Sequence, residues 1–320
     1  MDEGQKQQFQ LLAAKFEEWL KAINFSKQSI ENYCGDLQRF ISWIEENTNC
    51  KSVVAINPQH LQQYQIALYN TEIKVKEGKT KRLTPGTQLR KLAAIRKFFS
   101  WLVLSGQMAY NPSASLQLPK KAKTIPSTLL TKAEVKRLIE ATPTQTPIDC
   151  RDRAIIELLY ATGIRRAELL NLSLYDLDLE GATLSIKEGK RKDSRIIPLT
   201  FTAIEILKLY IKESRPKFPN DSSKTLLFIS SRSGGKLDAA DIDRILLKAI
   251  TKAGIKKHVT PHTLRHSFAT HLLKGKADIR QVQKLLGHRR LSSTEIYTRV
   301  EVSDLKEVLQ RCHPRADKKL

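Results

Sequence analysis

The chain has 320 residues and a mass of 36.4 kDa, which is long for one compact domain, so we expect two domains. Lys and Arg number 55 against 33 Asp and Glu, a formal net charge of +22, and this surplus predicts a polyanionic partner, nucleic acid before any other. With 41% hydrophobic residues and only 13 Gly and 12 Pro, the composition excludes a collagen-like or low-complexity chain.

The N-terminus and the cysteines indicate the compartment. The segment MDEGQKQQFQ is acidic and polar, unlike a secretory signal, and no apolar run approaches the roughly 18 residues of a membrane span. The four cysteines lie far apart without a C-x-x-C, which supports neither a disulfide scaffold nor a zinc knuckle. We expect a cytoplasmic protein that does not contact a membrane. The alternative interpretations of the charge are a solubility device and a membrane-surface patch.

Apolar residues recur at helical spacing through the first 110 residues. Four stripes are present, over residues 9–20, 33–41, 61–68 and 89–102. Ser26 or Ser29 is the predicted cap of the second helix, and Pro58 and Pro85 open the third and the fourth. Because no strand-like alternation occurs here, we expect an all-helical bundle of four or five helices.

Basic residues are concentrated in one part of this bundle. Residues 71–100 hold nine Lys and Arg against two acids, whereas residues 1–70 hold six against eight. The fourth predicted helix carries Arg90, Lys91, Arg96 and Lys97, and Arg90 and Lys97 share a face away from the apolar stripe. We expect these four residues to bind DNA. The alternative is an ordinary solvated face.

A proline- and lysine-rich segment divides the chain. Residues 118–128 hold two prolines and three lysines and predict an extended basic linker, in which Lys120 and Lys121 are further candidate DNA contacts. The predicted domains are therefore residues 1–117 and 129–320. The second has helices near 131–141 and 150–162, with a capping box at Thr131 and Glu134, and then two strands near 182–187 and 194–198.

The expected fold class is mainly α. An N-terminal helical bundle precedes a mixed α/β domain with a small antiparallel sheet, and helices continue from the second strand to the end of the chain.

Two segments of the second domain place a cation beside a turn. Gly163 interrupts an apolar helix and delivers Arg165 to the start of the next one. Lys190 lies in a lysine-rich turn, residues 188–195, between the two strands.

Two further segments place histidines, an arginine and a tyrosine near helix ends. Pro261 starts a helix on which His262 and Arg265 are neighbours. Gly287 ends a helix just before His288, and a capping box at residues 292 and 295 starts the helix of Tyr297.

Together these residue types suit metal-free cleavage of a phosphodiester. Two arginines match phosphate geometry and supply the charge that a phosphoryl-transfer transition state needs. A phenol needs help from a histidine to become a nucleophile, and a lysine among like charges has a lowered pKa and protonates the leaving alkoxide. The alternative of a zinc site at His262, His266 and His271 lacks an H-E-x-x-H arrangement and a nearby carboxylate, so we expect neither metal nor cofactor.

The order Arg, Lys, His-x-x-Arg, His, Tyr over residues 129–320 resembles the tyrosine recombinases, the lambda-integrase family, and most closely their Xer-like branch. The steps of 23 positions from Arg265 to His288 and of nine from His288 to Tyr297 are similar to the family's spacing. The first domain is similar in type to the family's SAM-like core-binding domain.

The resemblance implies a role for each matching residue. Arg165 and Arg265 would clamp the scissile phosphate, Tyr297 would be the nucleophile, and His262 would assist its proton transfer. His288 would bond the phosphate.

The general acid implied by the resemblance is Lys190. The turn at residues 189–194 lacks the second glycine of the usual G-K-G-N-K pattern, so Lys192 remains an alternative for this role. Glu168 falls where the family often has an acidic residue that supports the site.

The implied function is site-specific DNA recombination through a 3′-phosphotyrosyl intermediate and a Holliday junction. The implied partners are double-stranded DNA with paired recombinase sites and a homotetramer, or a heterotetramer with a related recombinase, associated with the nucleoid. The rival functions are a type IB topoisomerase or telomere resolvase and a DNA-binding regulator without chemistry. The segment from residue 301 to 320 would dock on a neighbouring protomer; the alternative is that it packs on its own domain.

Overall fold

The computed structural model describes residues 3–50, 52–74, 80–119, 129–187, 194–219, 225–287 and 309–315. The chain divides into two compact units, Met1–Ile125 and Pro126–Leu320. Residues 120–128 lie outside the described ranges, so the bounds of the basic linker stay a prediction. In the part of the chain that the structure describes, no helix has both the length and the apolar character needed to cross a membrane.

The described residues of the first unit form four α-helices: α1 (Glu3–Ala22), α2 (Lys27–Asn47), α3 (Pro58–Asn70) and α4 (Pro85–Leu104). The last three begin behind a polar side chain that accepts a bond from a first-turn N–H, namely Ser26, Asn57 and Thr84. Of the two candidate caps of α2, Ser26 is the one used. The prediction of a bundle of four or five helices, with Pro58 and Pro85 at the start of two of them, is confirmed, since the described residues form four α-helices.

Two short strands between α3 and α4 correct the expectation of an all-helical first domain. Strand β1 (Glu72–Lys74) pairs antiparallel with β2 (Thr80–Arg82). Each strand has three residues, and β2 is exposed along its length. An exposed strand has no buried face and therefore no alternation of apolar residues, so these two strands were not predicted.

Aromatic rings make up much of the core of the first unit. Phe16 of α1 meets Phe98 and Trp101 of α4, with ring centroids 5.3 Å and 5.5 Å away. Phe40 of α2 lies edge-to-face on Tyr64 of α3 at 5.0 Å. Phe40 also meets Phe99 of α4 with centroids 6.2 Å apart. Ring contacts therefore join α4, which carries the predicted DNA-binding residues, to α1 and α2.

The second unit combines helices with a small antiparallel sheet. Its helices are α5 (Lys132–Glu140), α6 (Pro147–Thr162), α7 (Arg166–Leu170), α8 (Phe201–Leu209), α9 (Ala239–Lys252), α10 (Pro261–Lys274) and α11 (Ile279–Leu286). The strands β3 (Leu177–Asp178), β4 (Thr183–Ile186) and β5 (Arg195–Pro198) form an antiparallel sheet in that order. The predicted hairpin is β4 and β5, the capping box at Thr131 is confirmed, and β3 was not predicted.

Helix α6 forms the buried centre of the second unit. Helices α8 and α10 pack against it, and Leu158, Leu159 and Tyr160 in its last turns are fully buried. Close packing on all sides means that α6 cannot shift without displacing its neighbours. Its C-terminal end is therefore a fixed point from which the chain continues to Arg165.

The last described residues, 309–315, pack on the second unit. Cys312 and His313 are buried, and Arg315 Nε donates to Glu157 Oε1 at 2.7 Å. These seven residues contact their own unit, and the docking of residues 301–320 on a neighbouring protomer stays a prediction. Residues 301–308 and 316–320 lie outside the described ranges.

Candidate active site

Gly163 makes the turn at the end of α6. It caps the helix with a left-handed φ of 63°, and a Cβ at this position would lie 2.6 Å from Phe268 Cδ1 and 3.0 Å from Leu286 Cδ2. Both the backbone conformation and the close packing require glycine. The turn places Arg165 at the N-cap of α7, as the sequence predicted.

Arg165 is held by Glu168, one turn further along α7. The backbone N–H of Arg165 donates to Glu168 Oε2 at 2.8 Å, and its Nη1 donates to Oε1 at 2.7 Å. Nη2 donates to the carbonyl of Gly287 at 2.9 Å. The side chain stays 41% exposed, so the guanidinium is fixed in direction while part of it remains accessible.

Arg265 lies on α10 and is 5% exposed. Its Nη1 donates to the carbonyl of Gly163 at 2.7 Å and its Nη2 to the carbonyl of Leu286 at 2.6 Å. A buried guanidinium needs such acceptors, because leaving its donors unpaired would be costly. Arg265 therefore joins the turn after α6 to the end of α11.

Both arginines thus meet the C-terminal end of α11. Its last carbonyls carry the negative end of the helix dipole, which attracts cations. Gly287 ends the helix with a φ of 64°, and His288 follows it directly in the sequence. The turn that leads to His288 is therefore tied to both predicted phosphate-binding residues.

A cavity of about 590 Å³ opens beside these arginines. Arg165, Arg265 and His262 line it, with Thr260 and Pro261 from the start of α10. His262 is exposed, in the first turn of α10, where Thr260 caps the helix. The structure therefore brings together three of the six residues that the sequence analysis named for catalysis.

Lys190, its alternative Lys192, His288 and Tyr297 lie outside the described residues, as do the linker lysines Lys120 and Lys121. The roles assigned to them stay predictions.

Arg195 is a member of the site that the sequence analysis did not assign. It is the first residue of β5, and it donates from Nη1 to Glu168 Oε1 at 3.0 Å and from Nη2 to Oε2 at 2.7 Å. Its Nε donates to the carbonyl of Leu285 at 3.1 Å. The sequence shows a charged residue at the start of the otherwise apolar strand β5, and this could have marked Arg195 as a candidate. The pattern does not identify Glu168 as its partner.

Glu168 is the shared acceptor of this network. Burial by itself would raise the pKa of the carboxyl, but the hydrogen bonds from Arg195 and Arg165 and the charge of Arg195 outweigh it and hold the pKa below its ordinary value. The acid is therefore ionised at neutral pH, as its position between two guanidiniums requires.

Two of the predicted DNA-binding residues surround a buried acid in the first unit. Asp36 of α2 is 1% exposed. It accepts bonds from Arg90 and from Arg39, the latter at 2.9 Å, and Lys91 Nζ lies 3.7 Å from Oδ1. Burial and then the charge of Arg39 lower the pKa of Lys91. Three cations converge on one carboxylate, which leaves a net positive patch at the contact of α2 with α4.

Lys97 has a different environment on the same helix. Its Nζ lies 5.0 Å from the ring centroid of Trp19 and 5.6 Å from that of Phe25, where the π faces attract a cation. Arg96 is partly exposed. Arg90 and Lys97, which the sequence placed on one face, therefore have different partners: Arg90 bonds the acid Asp36, and Lys97 lies over aromatic rings. DNA contact by these residues stays a prediction.

Two protein-family models match the chain. The model described as the phage integrase family matches residues 128–303, which is more than half of the chain. The model described as the phage integrase N-terminal SAM-like domain matches residues 14–106. The two matches follow one another in the order of the two units.

Individual relatives match over most of their length. The tyrosine recombinase XerD of Listeria innocua is 38% identical over 292 residues, covering 91% of this chain and 94% of the relative. The tyrosine recombinase XerC of Bacillus subtilis is 38% identical over 302 residues, covering 92% and 93%. A solved structure of the XerH site-specific recombinase, bound to its difH substrate before cleavage, is 25% identical with a TM-score of 0.64, covering 82% of this chain and 74% of that one. With these matches over both units, the chain belongs to the phage integrase family, the family of the tyrosine recombinases.

Proposed function

We propose that the chain is a site-specific DNA recombinase that cuts and rejoins DNA through a covalent bond to Tyr297. The observation that carries this proposal is the meeting of Arg165 and Arg265 beside His262 at one cavity, with both guanidiniums bonded to the end of α11. Guanidinium groups match the geometry of a phosphodiester and keep their charge at physiological pH. Two of them supply the positive charge that phosphoryl transfer requires.

In the cleavage step the phenol oxygen of Tyr297 attacks the scissile phosphorus, and the bond from phosphorus to the 5′ oxygen breaks. The phenol loses its proton with the help of His262, since a phenol with a pKa near 10 is a weak nucleophile until then. The departing oxygen takes a proton from Lys190, or from Lys192 as the alternative, and leaves as a 5′ hydroxyl. His288 bonds the phosphate during the step.

The second step reverses the first on a new strand. The 5′ hydroxyl of a partner strand attacks the 3′-phosphotyrosyl bond and releases Tyr297, so one phosphodiester replaces another and no ATP or metal is needed. Exchange of one pair of strands gives a Holliday junction, and exchange of the other pair resolves it. Four protomers, identical or shared with a related recombinase, hold the two sites.

The substrate is double-stranded DNA with paired recombinase sites. The bound difH substrate of the XerH relative supports this assignment. Residues 1–117 form the core-binding domain, 118–128 the basic linker with Lys120 and Lys121, and 129–320 the catalytic domain with its C-terminal assembly segment. The phosphate backbone of the DNA is the main contact of the enzyme. The enzyme acts in the cytoplasm, at the nucleoid.

A nicked substrate tests the proposal. Such a substrate traps the covalent adduct, because the short fragment with the 5′ hydroxyl dissociates after cleavage. On DNA that the protein itself selects from a genomic library, we expect the native chain to form an adduct that resists denaturation. Tyr297→Phe should bind this DNA with the same affinity and form none. An adduct that persists in Tyr297→Phe rules out the assigned nucleophile, and a native chain that forms no adduct rules out the function.

A plasmid with two sites distinguishes recombination from the rival functions. Recombination exchanges the flanking DNA of the two sites. A type IB topoisomerase would relax the plasmid without exchange, a telomere resolvase would leave hairpin ends, and a regulator would bind without cutting.

A further inference from the structure

Arg195 joins three elements of the catalytic unit through one guanidinium. It starts β5, it makes two parallel bonds to Glu168 of α7 at 3.0 Å and 2.7 Å, and it bonds the carbonyl of Leu285 in α11 at 3.1 Å. The side chain is 11% exposed and the Glu168 side chain 9%. A paired, largely buried arginine and carboxylate of this geometry hold a fixed relative orientation.

The carboxylate that Arg195 holds is the one that holds Arg165. Glu168 Oε1 accepts from Nη1 of both arginines, at 2.7 Å from Arg165 and 3.0 Å from Arg195, and Oε2 accepts from the backbone of Arg165 and from Nη2 of Arg195. The direction of the Arg165 guanidinium therefore depends on where Arg195 keeps Glu168.

The guanidinium of Arg195 also packs on the turn after α11. A Cβ added to Gly287 would lie 2.9 Å from Arg195 Nη1 and 3.1 Å from its Cζ. The chain continues from Gly287 directly into His288. Arg195 thus contacts Glu168, which holds Arg165, and Gly287, which precedes His288 in the chain. Arg165 and His288 are the predicted phosphate ligands.

We propose that Arg195 is a positioning residue for DNA cleavage, which fixes Glu168 between α7 and the end of α11 and so sets the direction of Arg165. This inference rests on the proposed recombinase function. Lysine cannot replace arginine here, because one ammonium cannot make two parallel bonds to a carboxylate and a third to Leu285. Arg195→Lys keeps the charge but loses the geometry.

A matched control exists in the same unit. Arg151 is also buried, with its side chain 8% exposed. It donates from Nε and Nη2 to Asp152 at 3.1 Å and 2.8 Å and from Nη1 to the carbonyl of Ile229 at 3.1 Å. Arg151→Lys removes the same kind of network from a place where the bonded partners, Asp152 and Ile229, are not among the described site residues.

The experiment measures single-turnover formation of the covalent adduct on the nicked substrate, together with DNA affinity and thermal stability. We expect Arg195→Lys to bind DNA with native affinity and to cleave about 100-fold more slowly, the order of loss that a misplaced reacting group causes. Arg151→Lys should lose similar stability and cleave at close to the native rate. Equal cleavage by Arg195→Lys and the native chain, or an equal loss in Arg151→Lys, overturns the inference.

A double-mutant cycle tests whether Arg195 acts through Arg165. If it does, Arg165→Lys combined with Arg195→Lys cleaves no more slowly than Arg165→Lys alone, and multiplied losses contradict the inference. If Arg195→Lys does not fold, Glu168→Gln replaces it in the cycle with Arg165→Lys. A double variant no slower than Arg165→Lys supports the inference, and multiplied losses contradict it. A native chain that forms no adduct counts against the proposed function instead, so the two failures are distinguishable.

Discussion

The hydroxyl of Tyr160 and Nδ1 of His271 lie 2.9 Å apart in the interior of the second unit. The ring of His313, from the C-terminal segment, packs against Tyr160 with centroids 5.0 Å apart and against Phe268 at 5.7 Å. Phe268 is also the side chain that fixes the Gly163 turn. The C-terminal segment therefore rests on the same side chains that support the turn to Arg165.

The buried His313 predicts a dependence of stability on pH. Burial lowers its pKa from 6.5 to about 3, so between these values the unfolded chain binds a proton at this position and the native protein does not. Stability therefore falls as the pH drops below 6.5. Urea unfolding at about pH 7.5 and about pH 5 should show a smaller decline for His313→Gln than for the native chain.

His271, whose pKa burial also lowers, accounts for part of the decline that remains in this variant. A native decline in His313→Gln would contradict the prediction.

Gly163→Ala should destabilise the protein through two effects. The left-handed φ costs a non-glycine residue about 1–2 kcal/mol, and the new Cβ meets Phe268 at 2.6 Å and Leu286 at 3.0 Å. Gly254 has the same φ of 63° with nothing within 4 Å of an added Cβ, so Gly254→Ala isolates the first effect. We expect Gly163→Ala to lower the free energy of unfolding by about 1–3 kcal/mol more than Gly254→Ala; equal losses would show that the turn has room.

Arg90→Ala should weaken the binding of DNA by a similar factor whatever the DNA sequence. Removing one phosphate contact lowers the slope of log affinity against log salt by about 0.9. Titrations at several salt concentrations measure this slope. Lys21, an exposed lysine on α1 paired with Glu17, is the control, and Lys21→Ala should leave the slope unchanged. An unchanged slope in Arg90→Ala would assign that arginine to the neutralisation of Asp36 alone.

The loss of cleavage rate in Arg165→Ala should depend on whether the scissile phosphate carries a charge. With the natural diester we expect cleavage about 100- to 1,000-fold slower than in the native chain, since one donor to the transition state is lost. A methylphosphonate at the scissile position has no charge for this arginine to stabilise. The ratio of native to variant rates should then shrink by at least about tenfold, and a ratio equal on both substrates would argue against a phosphate clamp.

The general acid is identified by changing the leaving group. Lys190→Ala should cleave slowly on the natural substrate and regain its rate on a 5′-phosphorothiolate, because a thiolate departs without a proton. Lys192→Ala is the matched variant two residues away in the same turn. If only Lys192→Ala is rescued, the general acid is Lys192.

The sequence by itself determined the helices and the identity of the chemical groups. Apolar spacing and caps such as Thr131 are local features that act within a few residues, so they placed α1 to α6 and the two longer strands close to their observed bounds. Motif order was enough to single out Arg165, His262 and Arg265 before any fold was known.

Only the tertiary structure decided which partners hold those groups. Arg165 bonds a carbonyl 122 residues away, Arg265 one 21 residues away, and Arg195 an acid 27 residues away. Such pairs depend on how α6, α10, α11 and β5 pack, and no local pattern records them. The division of the α4 cations between Asp36 and Trp19 depends in the same way on the packing of α4 against α2 and α1. The β1–β2 hairpin is local, and its exposed residues lack the apolar alternation that predicts a strand.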